Sequence, residues 1–449
     1  MRLRTFKKGG IHPSPSKLTA GMPIVALDLP RRAVLPLSQH IGAPATPCVA
    51  VGERVVRGQM VAKAAGFVSA PVHTPISGTV REIAPVAMPS GYPVTAITVE
   101  TDDTMHEADT AARLAQIEAD MQPADRTLSE TLTAEQIRRR IADSGIVGLG
   151  GATFPSTVKL STRPDAAIDT LVINACECEP YLTCDDALMR ACAPRIAEGI
   201  ELMLKAAGVP RAVIGIEDNK PEAIAALRAA LSDGWPIDIC VLRTKYPQGG
   251  EKQLVEAVTG RRIPAGALPA AVGTIVNNVA TAFAVYAAVD AGRPLIERVI
   301  TVTGDTSVRG NYLVAIGTPI GDIVPAITDG CKVVLGGPMM GRTAVTLDTP
   351  VTKGTSGLLV LEGRPRLPEQ PCIRCTACVN VCPMGLEPYL LANLARRRMW
   401  PEAERHTVTD CIECGSCSYI CPSSRPLLDY IRLAKSTVMA DIRARNAKK

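Results

Sequence analysis

A tandem cysteine pattern constrains the fold of this chain more than any other feature of its sequence. The spacing C-x2-C-x2-C-x3-C-P occurs twice, first in Cys372, Cys375, Cys378 and Cys382 and again in Cys411, Cys414, Cys417 and Cys421. Each cysteine of the second copy follows its counterpart at the same interval of 39 residues, as Cys411 follows Cys372. The segment is therefore an internal repeat, and its loops must gather eight thiols in a small volume.

This spacing is typical of a unit that holds two [4Fe–4S] clusters, in which the fourth cysteine of each copy ligates the cluster of the other copy. The pattern predicts one cluster on Cys372, Cys375, Cys378 and Cys421. It predicts the other cluster on Cys411, Cys414, Cys417 and Cys382. Zinc is the rival metal, but structural zinc sites favour paired C-x2-C knuckles over three cysteines at a period of three.

Cysteine spacing and the apolar stretches of the chain predict its cellular setting. The ligand spacing among 15 cysteines favours a metal unit in a reducing compartment over a disulfide framework. The basic stretch Met1–Gly10 is not followed by an apolar run, so we expect no secretory signal. Uncharged Ile263–Val289 is broken by Pro264 and Pro269 and carries two central asparagines, which predicts a buried loop and a core helix. We therefore expect any membrane association to be peripheral.

Charge argues against nucleic acid as a partner. The net charge is +5 over 449 residues, which is too mild a basic balance to predict nucleic-acid binding. The segment 371–449 is itself basic, and two clusters with thiolate ligands would offset most of that excess. The basic end of the chain fits a solvated helix, or a surface for an acidic partner or lipid headgroups.

Turn signals and hydrophobic periodicity predict a multidomain α/β chain. The expected segments are an N-terminal arm at 1–30, an all-β unit at 31–100, a linker at 101–130, an α/β unit at 131–290, a small mixed unit at 291–350, a linker at 351–370, the cysteine unit at 371–430 and a basic helix at 431–449. The all-β unit resembles biotinyl/lipoyl-type barrel-sandwich domains. The cysteine unit is expected to be ferredoxin-like, with an α+β fold.

The segment 131–290 alternates strands and helices, which is the signature of a Rossmann-like parallel sheet. Strands are predicted at Thr170–Asn174, Ala212–Ile216 and Ile237–Arg243, with helices at 185–207, 221–232 and 251–259. Thr133 is placed to cap a helix that begins at Ala134. Polar residues at the ends of such strands are candidates for a ligand site.

A glycine-rich loop, Gly148-Leu149-Gly150-Gly151, precedes Phe154 and Lys159. It lacks the Gly-Lys-Ser/Thr of a Walker A loop, and it follows a predicted helix rather than the strand of a Rossmann fingerprint. Glycines expose bare backbone N–H groups to a planar or anionic ligand, and a nearby lysine offsets phosphate charge. The loop therefore predicts a ligand site whose chemistry it does not specify.

Three further segments follow in order: Asn174–Tyr181, Tyr246–Lys252 and Thr274–Val279. Together with the glycine loop they resemble the flavin- and NADH-binding subunit of respiratory complex I over about 145–290. That resemblance implies FMN, with NADH stacked over it, and Phe154, Glu179 and Glu251 on the NADH side. The implied cofactor-binding residues are Gly148, Gly150, Gly151, Phe154, Lys159, Asn174, Glu177, Glu179, Gly249, Gly250, Glu251, Asn277 and Asn278.

The chain departs from the complex I pattern at three places. Thr153 stands where complex I subunits have glycine, and Gly250 stands within their Gly-Glu-Glu segment. Ala267 and Leu268 occupy the stretch in which those subunits carry a lysine. These differences affect the implied NADH contacts more than the implied FMN contacts.

The order of all units resembles one family over nearly the whole chain. A Gly9-Gly10-Ile11-His12-Pro13 start, a barrel-sandwich unit, an FMN/NADH-like unit and two clusters resemble the C subunits of Rnf (Rsx) electron-transport complexes. The resemblance implies that 291–350 is an SLBB-type β-grasp unit. It also implies a peripheral subunit on the cytoplasmic face of the bacterial inner membrane.

The function implied by that family is NAD:ferredoxin-type oxidoreduction within an ion-translocating complex. Electrons would pass between NADH, FMN and the two clusters, with the other Rnf/Rsx subunits as partners and ferredoxin reached through one of them. A soluble NADH-linked diaphorase module of a hydrogenase or formate dehydrogenase is a second enzymatic hypothesis. A zinc-bearing interaction module that binds nucleic acid is the non-enzymatic one.

Overall fold

The computed structural model describes residues 3–121, 131–161, 167–231, 234–324, 330–363 and 367–446. Along these residues the chain forms four units: a pair of small β-sheets, a parallel α/β unit, a mixed six-stranded sheet and a helical unit with the cysteine repeat.

Two small antiparallel sheets form the unit predicted to be all-β. One sheet has the strand order Arg32–Pro36, Val94–Glu100, Gly78–Val86, Arg54–Val55, and the other has Thr46–Pro47, Met60–Lys63, Val72–His73. Apolar side chains from both sheets, among them Val61 and Ile97, are fully buried in one core. This core holds the two short sheets together because neither sheet is wide enough to bury an apolar face alone.

The α/β unit has a four-stranded parallel sheet, as predicted. Its strand order is Ile237–Leu242, Ala212–Glu217, Thr170–Ala175, Thr274–Asn278, and its helices are Ala134–Asp143, Ser156–Leu160, Cys184–Ala207, Pro221–Ala230, Glu251–Thr259 and Val279–Val289. Thr133 caps the first helix in a reciprocal capping box with Gln136, which confirms the predicted start. The chain winds away from Thr170–Ala175 in one direction and returns on its other side with Thr274–Asn278. This switch point is where open α/β sheets bind ligands.

The strand Thr274–Asn278 is not among the strands predicted from the sequence. The stretch Ile263–Val289 is uncharged throughout, so periodicity does not separate a buried strand from a buried helix there. The core helix expected at its end is confirmed as Val279–Val289, and Asn278 caps it by accepting from the Ala280 N–H at 2.8 Å. A short 3-10 helix, Pro269–Val272, precedes the strand.

The mixed sheet is assembled from distant parts of the chain. Its strand order is Ile24–Ala26, Gly310–Ala315, Glu297–Gly304, Gly357–Leu361, Lys332–Leu335, Arg342–Thr343, and a short helix, Ile320–Ile323, packs beside it. Two sequence predictions are wrong here. The arm at 1–30 contributes an edge strand, and the linker at 351–370 contains an interior strand. Both strands are completed by partners far away in sequence, so local patterning does not reveal them.

The expected linker at 101–130 contains a helix, Asp103–Met121, and residues 122–130 lie outside the described part of the chain. Two of its charged side chains are buried. Asp109 accepts from the Ser77 hydroxyl at 2.8 Å, and Arg113 is paired with Glu297 at 2.5 Å. The helix is therefore anchored between the barrel-sandwich unit and the mixed sheet rather than exposed as a linker.

The cysteine unit is helical, which corrects the predicted α+β fold. Its helices are Ala377–Asn380, Pro388–Arg396, Trp400–Arg405, the 3-10 helix Val408–Asp410, Ser416–Tyr419 and Leu427–Asn446, and residues 367–446 contain no strand. The interval between the two cysteine copies is long enough for two helices, whose apolar residues Leu391, Ala395 and Ala403 pack on the C-terminal helix. The predicted basic helix thus belongs to the core of this unit and begins at Leu427.

Candidate functional site

Four of the predicted site residues meet at the switch point of the parallel sheet. Asn174 Nδ2 donates to the Gly249 carbonyl at 2.9 Å, and Asn278 Nδ2 donates to Asp185 Oδ2 at 2.8 Å. Gly150 packs on the Asn278 side chain so closely that a Cβ on Gly150 would stand 2.8 Å from it. The strand ends and the glycine loop therefore form one surface, as the sequence predicts.

Asn277, the neighbour of Asn278 in the strand Thr274–Asn278, is a buried amide without a polar partner among the described residues. Its side chain is 2% exposed, and neither its amide oxygen nor its amide nitrogen has a hydrogen-bond partner in the described structure. A buried amide without partners costs about 1–3 kcal/mol per unsatisfied group. Such a group fits a polar ligand, but successive strand residues point to opposite faces of a sheet, so contact between Asn277 and a cofactor at the Asn278 surface stays a prediction.

Lys159 and Glu251 lie at the rim of the same surface. The Lys159 ammonium donates to the Val276 carbonyl at 3.0 Å and stands 3.7 Å from the Glu251 carboxylate. The nearby Phe154 is partly buried, and its carbonyl accepts from the Gly148 N–H at 2.9 Å. These residues can present one cation, one anion and one aromatic ring to a bound molecule.

Glu177 has a local role in the structure. Its carboxylate accepts from the backbone N–H groups of Asp185, at 2.7 Å, and Asp186, at 3.2 Å, and so stabilises the start of the helix Cys184–Ala207. Burial, and then the neighbouring Glu177, raises the pKa of Asp185. Contact between Glu177 and a cofactor stays a prediction, whereas Asp185 is a site residue that the sequence reasoning missed.

Glu179 lies at the junction with the cysteine unit. One carboxylate oxygen accepts from the Met339 N–H at 3.1 Å, and the other stands 3.5 Å from the Tyr246 hydroxyl. Burial raises the pKa of Glu179 to about 7. The implied place of Glu179 on the NADH side stays a prediction, since its carboxylate is engaged by protein groups here.

The two cysteine loops have the same backbone conformation. Arg374 and Glu413, at equivalent places in the two copies, have φ values of 56° and 58°. Thr376 and Gly415, also equivalent, have φ values of 60° and 75°. These left-handed residues turn both loops at the same two places. The sequence repeat is therefore also a structural repeat.

The thiols group as the repeat predicts, with the fourth cysteine of each copy beside the other copy. Burial raises the pKa of the Cys378 thiol, and Cys421, Cys372 and Cys375 add to the rise. Burial also raises the pKa of Cys417, with contributions from Cys411, Cys414 and Cys382. Four neighbouring thiolates need a cationic centre to coexist, so each group fits an iron–sulfur cluster. Direct ligation of the clusters stays a prediction.

One thiol group lies against the α/β unit. Tyr246, which follows the strand Ile237–Leu242, donates its hydroxyl to the Cys414 carbonyl at 2.7 Å. The Gly266 N–H donates to Asp410, beside Cys411, at 3.0 Å. In the other group Cys372 and Cys375 are exposed. We name the groups accordingly: the inner group is Cys411, Cys414, Cys417 and Cys382, and the outer group is Cys372, Cys375, Cys378 and Cys421.

Tyr246 is also absent from the site predicted from the sequence. The sequence contains a signal for it, because Tyr246 immediately precedes the Pro-Gln-Gly-Gly segment of the complex I resemblance. That segment does not predict the direction in which the Tyr246 ring points. Tyr246 is 2% exposed and packs with Ile11 and Cys414, residues from opposite ends of the chain.

Three family descriptions match successive parts of the chain. Residues 5–104 match the RnfC barrel sandwich hybrid domain, residues 141–287 match the Nuo51 FMN-binding domain, and residues 364–422 match a 4Fe-4S dicluster domain. These matches confirm the expected cofactor classes, FMN and [4Fe–4S] clusters. They also confirm the order of the barrel-sandwich, FMN-binding and cluster units.

Curated relatives match over nearly the full length. The C subunit of the Na(+)-translocating ferredoxin:NAD(+) oxidoreductase complex of Acetobacterium woodii is 42% identical, over 98% of this chain and 99% of the relative. The C subunit of the proton-translocating ferredoxin:NAD(+) oxidoreductase complex of Clostridium ljungdahlii is 40% identical, over 97% and 94%. The C subunit of the ion-translocating oxidoreductase complex of Rhodobacter capsulatus is 43% identical, over 87% and 75%.

A solved structure supports the fold alone. The crystal structure of an NAD+-reducing [NiFe]-hydrogenase in the H2-reduced state matches with a TM-score of 0.50 and 20% identity. The match covers 75% of this chain and 73% of the hydrogenase chain.

The fold and the site define a flavin and iron–sulfur electron-transfer protein, in which an FMN-binding α/β unit contacts a two-cluster unit directly. The relatives that match over nearly the full length specify the family within this class. The chain belongs to the family of C subunits (RnfC) of ion-translocating ferredoxin:NAD(+) oxidoreductase complexes. Within the described residues, no helix combines the length and apolar character needed to cross a bilayer.

Proposed function

We propose that this chain is the peripheral electron-transfer subunit of an Rnf-type complex and exchanges electrons between NADH, FMN and two [4Fe–4S] clusters. Its partners are the other Rnf subunits, which translocate the ion and connect it to ferredoxin. The place of action is the cytoplasmic face of the inner membrane. The observation that carries the proposal is the 2.7 Å hydrogen bond from Tyr246 in the FMN-binding unit to the Cys414 carbonyl.

The chemistry explains why these units occur together. NADH gives two electrons as a hydride and a cluster takes one at a time, and FMN supplies the conversion. The residues proposed to hold FMN are the glycine loop, Asn174, Asn277 and Asn278. Lys159 neutralises anionic charge at the rim, and Phe154 and Glu251 are proposed to contact NADH. The protein contributes position and charge rather than a catalytic side chain.

We propose an order in which electrons reach the two clusters, based on the contacts of the two cysteine groups. The inner group lies against the FMN-binding unit and the outer group has two exposed cysteines. Electrons from NADH would therefore reach the inner cluster first, then the outer cluster, and then a partner subunit. We also propose that the mixed sheet is the SLBB-type β-grasp unit, with boundaries that include Ile24–Ala26 and Gly357–Leu361.

An anaerobic NADH titration of the reconstituted chain tests this function. We expect about eight irons and one FMN per chain, with bleaching of flavin and cluster absorbance and new cluster EPR signals on NADH addition. Eight irons without flavin and without a response to NADH would contradict the proposed site. A colourless, zinc-loaded protein with salt-sensitive RNA binding would favour the non-enzymatic hypothesis.

Gly151→Ala tests the glycine loop as the flavin surface. No described atom lies within 4 Å of a Cβ at Gly151, so the fold of the flavin-free protein should be unchanged. We expect FMN affinity to fall at least about 10-fold, or ~1.4 kcal/mol, because the methyl group occupies space above bare backbone. The matched control is Gly66→Ala, which has equally open space in the barrel-sandwich unit. Equal FMN affinity of the two variants, measured by fluorescence titration, would remove Gly151 from the site.

A further inference from the structure

The N-terminal segment Gly9-Gly10-Ile11 lies between the FMN-binding unit and the inner cysteine group. The Gly10 N–H donates to the Val381 carbonyl at 2.8 Å, next to Cys382. Ile11 and Tyr246 exchange two backbone hydrogen bonds of 2.9 Å each. We call these three residues the strap, since they are hydrogen-bonded to both units at once.

The strap needs glycine because it is in direct backbone contact with the cluster loop. Gly9 has a φ of +65°, and a Cβ there would stand 2.6 Å from the carbonyl carbon and oxygen of Cys382. A side chain cannot be accommodated at that distance unless the loop that carries Cys382 moves. The contact is therefore with the ligand loop itself and not with a surface side chain.

Side-chain contacts hold Ile11 and the arm that follows the strap. Ile11 is 5% exposed and packs with Tyr246 and Cys414. Farther along the arm, the Lys17 ammonium donates to the carbonyls of Glu177 and Glu179 at 2.9 Å each, in the loop after the strand Thr170–Ala175. The arm thus connects a loop near the FMN surface with the loops of the inner cluster.

We propose that the strap is a positioning element for electron transfer, which sets the separation between the flavin and the inner cluster. This inference rests on the proposed function. Each transfer would move one electron from the reduced flavin to the inner cluster without making or breaking a bond, so the separation of the two cofactors would be one determinant of its rate, beside their reduction potentials.

Gly9→Ala tests the strap, with Gly21→Ala as the matched control. Gly21 lies in the same arm and has a similar φ of +75°, but a Cβ there would have no atom within 4 Å. Both variants carry similar backbone strain, and only Gly9→Ala displaces the Cys382 loop. We expect Gly9→Ala to keep FMN and iron, to reduce ferricyanide with NADH at the normal rate, and to reduce the clusters several-fold more slowly.

Hydrogen exchange supplies a readout that does not depend on turnover. Peptides that contain Val381 to Gly385 should exchange faster in Gly9→Ala than in wild type, and Gly21→Ala should match wild type. Normal cluster reduction in Gly9→Ala, observed by stopped-flow absorbance, would overturn the proposal. If the wild-type protein did not reduce ferricyanide with NADH, that result would instead contradict the proposed function.

A wild-type measurement keeps the proposal testable if Gly9→Ala does not assemble. The N–H groups of Gly10 and Ile11 are hydrogen-bonded to Val381 and Tyr246, so their exchange in the reconstituted protein should be strongly protected. Exchange at the rate of an unstructured peptide would show that the strap is not docked, and would overturn the proposal.

Discussion

Replacing Cys411 and Cys414 together by serine is expected to stop electron transfer beyond the flavin. The variant should still bind FMN and reduce ferricyanide with NADH. Its remaining cluster, on the outer group, should stay oxidised when NADH is added. The reason is the proposed order of the clusters: the inner group contacts the FMN-binding unit through the hydrogen bond from Tyr246 to Cys414, whereas two cysteines of the outer group are exposed.

The Cys372→Ser and Cys375→Ser double variant is the matched comparison. It removes the same two positions of the first copy, and both residues are exposed, so the fold should be less affected. NADH should reduce its remaining inner cluster at the wild-type rate, while transfer to a partner subunit falls to background. Each variant should retain about four irons per chain.

Freeze-quench EPR after NADH addition separates the two variants. Rapid reduction of the outer cluster in the Cys411→Ser and Cys414→Ser variant would contradict the proposed order. Slow reduction of the inner cluster in the Cys372→Ser and Cys375→Ser variant would contradict it equally. The ferricyanide rate and the FMN content identify preparations in which the FMN-binding unit itself is damaged.

Lys353→Met is expected to remove the rise in local stability with pH that this buried lysine gives above neutrality. Lys353 is 1% exposed, and its ammonium donates to the carbonyls of Pro71, at 2.7 Å, and Gly145, at 2.8 Å. It joins the barrel-sandwich unit to the end of the helix Ala134–Asp143. Arg298 donates to the carbonyls of both Lys353 and Leu149, so the same contacts support the glycine loop.

The burial of Lys353 determines the direction in which stability changes with pH. Desolvation lowers the pKa of Lys353 to about 7, whereas an unfolded lysine keeps a pKa near 10.5. Between these values the unfolded state binds a proton that the folded state does not, so stability rises with pH. The slope is up to about 1.4 kcal/mol per pH unit. His73, nearby, contributes at lower pH, because burial and then Lys353 lower its pKa to about 3.

Hydrogen exchange of peptides from 134–149 measures this effect locally. The exchange rate of Lys353→Met divided by that of wild type should be smallest near pH 6. It should rise up to about tenfold per unit between pH 7 and 10, since the wild type alone gains protection. A ratio that is independent of pH over this range would contradict a buried, proton-linked Lys353.

Much of the architecture could be predicted from sequence because its signals are local. Three of the four strands of the FMN-binding unit and its longer helices have clear periodicity, and the cysteine spacing repeats at a constant interval. The strands Ile24–Ala26 and Gly357–Leu361 were missed because their partners lie in distant segments. The α+β expectation for the cysteine unit was wrong because ligand spacing specifies the cluster loops and not the elements between them.

In the candidate site, too, some features follow from local sequence and others from tertiary contacts. The sequence by itself determined the cofactor classes and singled out Gly150, Asn174, Gly249 and Asn278, which meet at the switch point, since strand ends and glycine loops define their own backbone geometry. Only the tertiary structure decided what the side chains do. It directs Glu177 to a helix N-terminus, Glu179 to Tyr246 and the Met339 N–H, and Tyr246 to the cysteine unit. It also places the inner group beside the FMN-binding unit. These side-chain positions depend on contacts between residues far apart in the chain, which local sequence does not predict.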